Sequence, residues 1–163
     1  FADILQRLFG ENASLELAIQ ESIAAHGSKP GMDETLAIVE KALKLYQDGI
    51  KPTPQGIEDL GGGWIAEEAL AIGVWCALMA DSFEQGVVWA VNHGGDSDST
   101  GLIAGNLLGM QLGVASIPQR WLDKLELREV IEKVAEDIDW VPRACEGDGG
   151  QYDEQIWQRY PGN

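Results

Sequence analysis

The sequence predicts an all-α protein on three observations. Apolar residues recur at helical spacing through most of the chain, no segment sustains the apolar/polar alternation of a half-buried strand, and helix start and stop residues punctuate the pattern. Asn12 or Ser14 can cap a helix whose Leu15, Ala18, Ile19, Ser22 and Ile23 share a face, and His26-Gly27 with Pro30 ends it. Asp33 can cap the next, with Leu36, Val39, Leu43 and either Ala42 or Tyr46 inward, stopping at Asp48-Gly49. From Gly49 to Gly63 the prolines and glycines, ending in Gly61-Gly62-Gly63, predict a loop. Trp64 leads into a helix through Met79 whose Glu67 and Glu68 lie in the first turn, where carboxylates complement the positive end of the dipole. Beyond them this helix is apolar on all sides. Ser82 caps a further helix carrying Phe83, Val87, Trp89, Ala90 and Val91, which runs out at Asn92-His93-Gly94-Gly95.

Between Ser99 and Val114, Gly101, Gly105, Gly109 and Gly113 recur every four residues among leucines and Ile103. Each glycine inside a helix costs about 0.5–1 kcal/mol relative to alanine, so the stripe predicts close approach by neighbouring helices. The lack of charge after Asp98 places this helix at the centre of a bundle, surrounded on all sides. Pro118 opens a short helix with Trp121. Glu126 to Ile138 forms an amphipathic one, with Leu127, Val130, Ile131, Val134 and Ile138 on one face. Past Pro142 the pattern fades into a glycine-rich stretch and a tail whose Tyr152, Ile156, Trp157 and Tyr160 are expected to pack back as an irregular arm.

The 163 residues suffice for one globular domain. With 11 Lys plus Arg against 27 Asp plus Glu the net charge is −16, and no basic patch interrupts it, which argues against nucleic acid and anionic membrane surfaces as partners. The longest apolar run, 69–80, falls short of the roughly 20 residues of a membrane span. No signal peptide opens the chain, and Cys76 sits in an apolar run as a small hydrophobe, so a cytoplasmic protein is expected. Phe1 already stands inside an amphipathic pattern, as in a piece of a longer chain.

The segment His93-Gly94-Gly95-Asp96-Ser97-Asp98-Ser99-Thr100-Gly101 carries the chemistry. Asp96 and Asp98 are expected on the same side of an extended turn, Ser99 adds a neutral oxygen, and the glycines let backbone approach closely. Such hard oxygen donors suit magnesium, manganese or calcium rather than zinc. A helix cap by Asp98 or Ser99 explains one carboxylate and not two. An EF-hand reading fails, because its twelfth position is Leu107 instead of a bidentate glutamate. Two carboxylates and a hydroxyl do not complete octahedral coordination, so further donors must come from elsewhere, at the end of a bundle core. Gly62, Gly63 and Trp64 could wrap a nucleotide through backbone amides and ring stacking, or form a helix-start loop around a buried tryptophan. Glu67 and Glu68 could meet a cationic leaving group or serve the dipole alone. His93 could orient a ligand, or sit at a helix C-terminus for the dipole's sake.

The run His93 to Gly105, HGGDSDSTGLIAG, resembles the C-terminal metal motif of the ADP-ribosylglycohydrolases, and Gly61 to Ile72, GGGWIAEEALAI, and Lys124 to Ile138, KLELREVIEKVAEDI, look like that family too. The resemblance implies an all-α fold holding two Mg2+ or Mn2+ ions that bind the distal ribose diol and position a water, with release of ADP-ribose from a modified protein side chain. Carried over by position, Asp96, Asp98 and Ser99 match the metal ligands, with the two aspartates catalytic. Ser at 97 and 99 lies closer to arginine-type members. The family's N-terminal Gly-Asp motif and Thr-Asp-Asp cluster do not occur here. Residues 1–140 therefore resemble the C-terminal half of such a domain, with 141–163 a tail, and the fragment alone is expected to be inactive until that N-terminal segment joins it. A non-catalytic ADP-ribose- or metal-binding domain of the same fold is the rival expectation.

Overall fold

The computed structural model describes residues 1–10, 13–145 and Gln158, with backbone alone for 139–145. Among them there are helices and no strand. Residues 1–118 form one compact unit and those from Gln119 onward a second.

The first unit opens with α1 (Ala2–Gly10), which buries Ile4 and Leu8, followed by α2 (Leu15–His26) and α3 (Asp33–Gln47). Ser14 caps α2, its Oγ accepting from the Leu17 amide, while the alternative Asn12 lies outside the described residues. Asp33 is the first residue of α3 rather than its cap; there its charge serves the dipole. A salt-bridged clamp joins α1 to α2. Arg7 Nε donates to Asp3 at 3.0 Å and its second nitrogen reaches Glu21 at 2.8 Å. A hydrogen bond with Ser22, then one with Arg7, holds the Asp3 carboxyl below its ordinary 3.8.

The expected loop 49–63 contains one short helix, α4 (Pro54–Glu58), capped by Thr53 and opened by a proline whose missing N–H is no loss at that position. Trp75, fully buried, ties this segment down: its indole N–H donates to the Ile50 carbonyl at 3.0 Å. Trp75 lies on α5 (Ala66–Met79), the central helix, which packs against α3, α6 (Phe83–Val91) and α7 (Ser97–Leu112). Burial from Ala69 through Ala77, interrupted only by half-buried Leu70, fits the sequence expectation for α5. The thiol of Cys76 is pushed up to about 12 by that burial, and stays neutral and inert.

The glycine stripe of α7 behaves otherwise than expected. A Cβ on Gly101 would meet Val91 at 2.6 Å, but one on Gly105 would have only Val87 at 4.0 Å and one on Gly109 nothing within 4 Å; Gly113 lies beyond the helix at φ 75°. The glycines that admit α7 belong to its partners. A Cβ on Gly73 of α5 would strike Ile103, with the Ala104 amide 3.2 Å away, and one on Gly86 of α6 would meet Leu108 at 2.5 Å. Consequently α7 is buried on one face only, through Thr100, Ala104, Leu107 and Leu108, and Leu102 is 63% exposed. A 3-10 turn, Val114–Ser116, closes the unit.

The second unit contains α8 (Gln119–Leu122) and α9 (Arg128–Cys145), which runs through Pro142 and past the expected boundary at 140. Leu127 precedes α9 at φ 57°, a left-handed conformation rare for leucine, instead of joining the apolar face. Val130, Ile131, Val134 and Ile138 are exposed. The tail aromatics and Ile156 lie outside the described residues. No described helix is long and apolar enough to cross a membrane.

Two outcomes follow for stability. Gly73→Ala should cost about 1–3 kcal/mol by overpacking against Ile103, whereas Gly109→Ala should gain about 0.5–1 kcal/mol of helix propensity; urea melts of both variants distinguish them. Because the Asp3 carboxyl is depressed in the folded state, its contribution is present above pH 3.8 and lost as pH falls through the lower folded value. Melts across pH 2–5, a range of about three units, should show the parent losing stability relative to Asp3→Asn only below about pH 4.

Candidate functional site

The motif folds as a loop between α6 and α7. The helix begins at Ser97, two residues earlier than expected, so Asp98 and Ser99 lie in its first turn rather than on an extended turn. Asp96 is the N-cap, its Oδ1 accepting from the Ser99 amide at 3.4 Å. Capping thus falls to Asp96 rather than to Asp98 or Ser99, and Asp98 is left exposed. A hydrogen bond with the Asp98 side chain, then one with Ser99, keeps the Asp96 carboxyl below its ordinary range. The two carboxyls therefore stand beside each other at the positive end of α7.

A second loop holds the first. Gly61, Gly62 and Gly63 take φ of 114°, 81° and 83°, a left-handed run that only glycine sustains without strain. This curl turns the Gly62 carbonyl toward Asp96, whose amide donates to it at 2.9 Å. The backbones come so close that a Cβ on Gly95 would collide with the Gly62 carbonyl, and a Cβ on Gly63 would sit 2.7 Å from the Thr100 methyl. Gly62 and Gly63 are buried in this contact, while Trp64, expected as a stacking or buried ring, is 71% exposed. The loop as it lies offers a ligand the indole rather than the amides of Gly62 and Gly63.

The two glutamates part company. Glu68 lies beneath Gly61 and accepts from the Trp64 amide at 3.1 Å, bracing the loop. Glu67 faces a cavity of about 660 Å3 together with Asp98 and Ser99. Its remaining wall is mostly apolar, with Ala69, Leu70, Leu102 and Ile103 prominent. Sequence reasoning missed two supports. Glu58 accepts from the Gly94 amide at 3.3 Å across 36 residues, a tertiary relation with no local signal. Thr100 is fully buried and bonds the Ala90 carbonyl at 2.6 Å; the only sign of it was a hydroxyl facing an apolar helix.

Donor chemistry bears on any cation. Asp96, Asp98 and the Ser99 hydroxyl are hard oxygens suited to Mg2+ or Mn2+, three donors where an octahedral ion takes six. Among the described residues no three His, Cys, Asp or Glu side chains gather into a group able to hold a metal. The motif fits such an ion as part of a ligand set.

A sequence model of the ADP-ribosylglycohydrolase family matches residues 1–149. The chain is 26% identical to the ADP-ribosylarginine hydrolase Tri1 of Pseudomonas putida, over 83% of this chain and 37% of that protein. It is 23% identical to the ADP-ribosylhydrolase ARH3 of Bos taurus, over 82% and 40%. To the ADP-ribosyl-[dinitrogen reductase] glycohydrolase of Rhodospirillum rubrum it is 43% identical over 31% of this chain and 17% of that protein. The chain thus spans at most about two fifths of the length of these relatives. No solved structure matches it. With the helical architecture, the paired loops and this match, the chain belongs to the ADP-ribosylglycohydrolase family.

Proposed function

We propose that this chain contributes the C-terminal half of the active site of a divalent-cation-dependent hydrolase that releases ADP-ribose from modified protein side chains, with arginine the favoured acceptor. The observation that carries the reading is the pair Asp96 and Asp98 at the positive end of α7, with Asp98 and Ser99 on the wall of a 660 Å3 cavity. Carboxylate oxygens and a hydroxyl are the donors that hard divalent cations take. Asp96 and Asp98 would hold Mg2+ or Mn2+ through carboxylates and Ser99 through its hydroxyl, with a companion segment bearing further oxygen donors completing two ion sites. A divalent cation supplies Lewis-acid charge stabilisation and activation of water.

The chain's own residues do the rest. Asp98 and Ser99 orient the ribose at the cavity wall, and the exposed Trp64 ring flanks the loop on which the nucleotide would lie. A water oxygen bonds to the anomeric carbon as the bond to the side-chain nitrogen breaks, and that nitrogen takes up the proton. Glu67, on the same cavity, is an anionic partner for a guanidinium leaving group, which supports arginine over a neutral acceptor. The buried, neutral Cys76 thiol suits a reducing compartment, the cytoplasm. A second reading, a domain that binds ADP-ribose or metal without cleaving it, is favoured by the three-donor count alone.

In the complete polypeptide, Asp96→Ala or Asp98→Ala should cut Mg2+-dependent ADP-ribose release by more than about 100-fold, beyond what loss of a ligand's supporting partner costs, with helicity unchanged by circular dichroism. Wild-type turnover in either variant refutes the hydrolase assignment. The 163-residue chain alone should show no turnover. Glu67→Gln should raise KM for an arginine-linked substrate about tenfold, the loss of one charge-assisted contact, and leave a serine-linked substrate unchanged. Equal effects on both substrates would remove the basis for arginine preference.

A further inference from the structure

We infer that His93 is a positioning residue, held as the neutral Nε2–H tautomer, which fixes the loop carrying Asp96 and Asp98 by bridging Gly95 to Thr100. The inference rests on the cation site proposed above but has a reading of its own.

The bonding leaves one assignment for the ring. The Gly95 amide can only donate, and it donates to His93 Nδ1 at 3.0 Å, so Nδ1 is the bare nitrogen. The ring proton is then on Nε2, which points at Thr100 Oγ1, 3.0 Å away. The hydroxyl accepts that bond and spends its own hydrogen on the Ala90 carbonyl at 2.6 Å. The Thr100 hydroxyl ties the first turn of α7 to the last turn of α6 at Ala90, and the imidazole ties the loop at Gly95 to that hydroxyl. Both ring nitrogens are used, and the Thr100 hydroxyl that takes one of the bonds is fully buried. Gly95 and Thr100 flank Asp96, whose amide is held by Gly62. The loop is thereby fixed at both shoulders and at its middle, and the two carboxylates emerge from a backbone with little freedom left. A side chain that orients a ligand-bearing segment this way typically governs metal affinity by 10–100-fold.

The test uses the 163-residue chain and Mn2+ as probe. Ring-nitrogen NMR of the parent should show the His93 proton on Nε2; a proton on Nδ1 overturns the proposal. His93→Phe removes both bonds, and His93→Asn keeps the acceptor for Gly95 while falling short of Thr100. Both should weaken Mn2+ binding by about 10–100-fold with unchanged helicity, and parental affinity in both overturns the proposal. Thr100→Ser, which keeps the hydroxyl and loses the methyl on Gly63, should lose less than Thr100→Val, which also breaks the Ala90 bond and should lose at least as much as His93→Asn. The His93→Asn, Thr100→Val double variant should lose no more than Thr100→Val alone, because loss of the hydroxyl already breaks the bond to His93; fully additive losses overturn the bridge. If the parent shows no saturable Mn2+ binding, the cation reading fails by itself and amide exchange decides His93. Faster exchange at Asp96 and Ser99 in His93→Asn supports the bridge, and unchanged exchange overturns it.

Discussion

The bond from the Asp96 amide to the Gly62 carbonyl is the contact on which the candidate site depends. It forms only because two backbones meet where no side chain intervenes: Gly95 has no room for a Cβ, and Gly61 to Gly63 hold a left-handed curl that other residues resist. Everything placed on α7 inherits its position from this meeting. Thr100 seats its methyl on Gly63, Asp96 caps the helix, and Asp98 and Ser99 are set by the first turn that the cap begins.

The supports around that contact form a closed circuit. Trp75 anchors the segment after α3 through Ile50, Glu58 at the end of α4 grips Gly94, and Glu68 at the start of α5 braces Gly61 and Trp64. Most of these bonds join a side chain to backbone, which fixes where a loop runs without specifying what the loop binds. Glu67, one residue before Glu68, is left to the cavity. On α5 successive residues point about 100° apart, so one glutamate braces the loop and the other faces open space.

Small residues decide how close α5, α6 and α7 come. Gly73 and Gly86 accept Ile103 and Leu108, and the outer face of α7 is left open, as are many apolar side chains of α9. Proteins of the family to which this chain is similar are more than twice its length. In this chain the open face of α7 begins beside the oxygen-bearing side chains of its first turn.

The sequence by itself determined the helical class, the caps at Ser14 and Ser82, the buried α5 and the acidic motif before α7, because each rests on relations within a few residues: periodicity, a hydroxyl beside an amide, a carboxylate at a helix start. It also singled out both glycine loops. What only the tertiary structure decided was that these loops lock together, that the helix glycines which matter are Gly73 and Gly86 rather than most of the α7 stripe, and that His93, Thr100 and Glu58 hold the motif in place. Close approach is a property of two segments, and a glycine looks the same in sequence whether its missing Cβ makes room for a neighbour or faces open space.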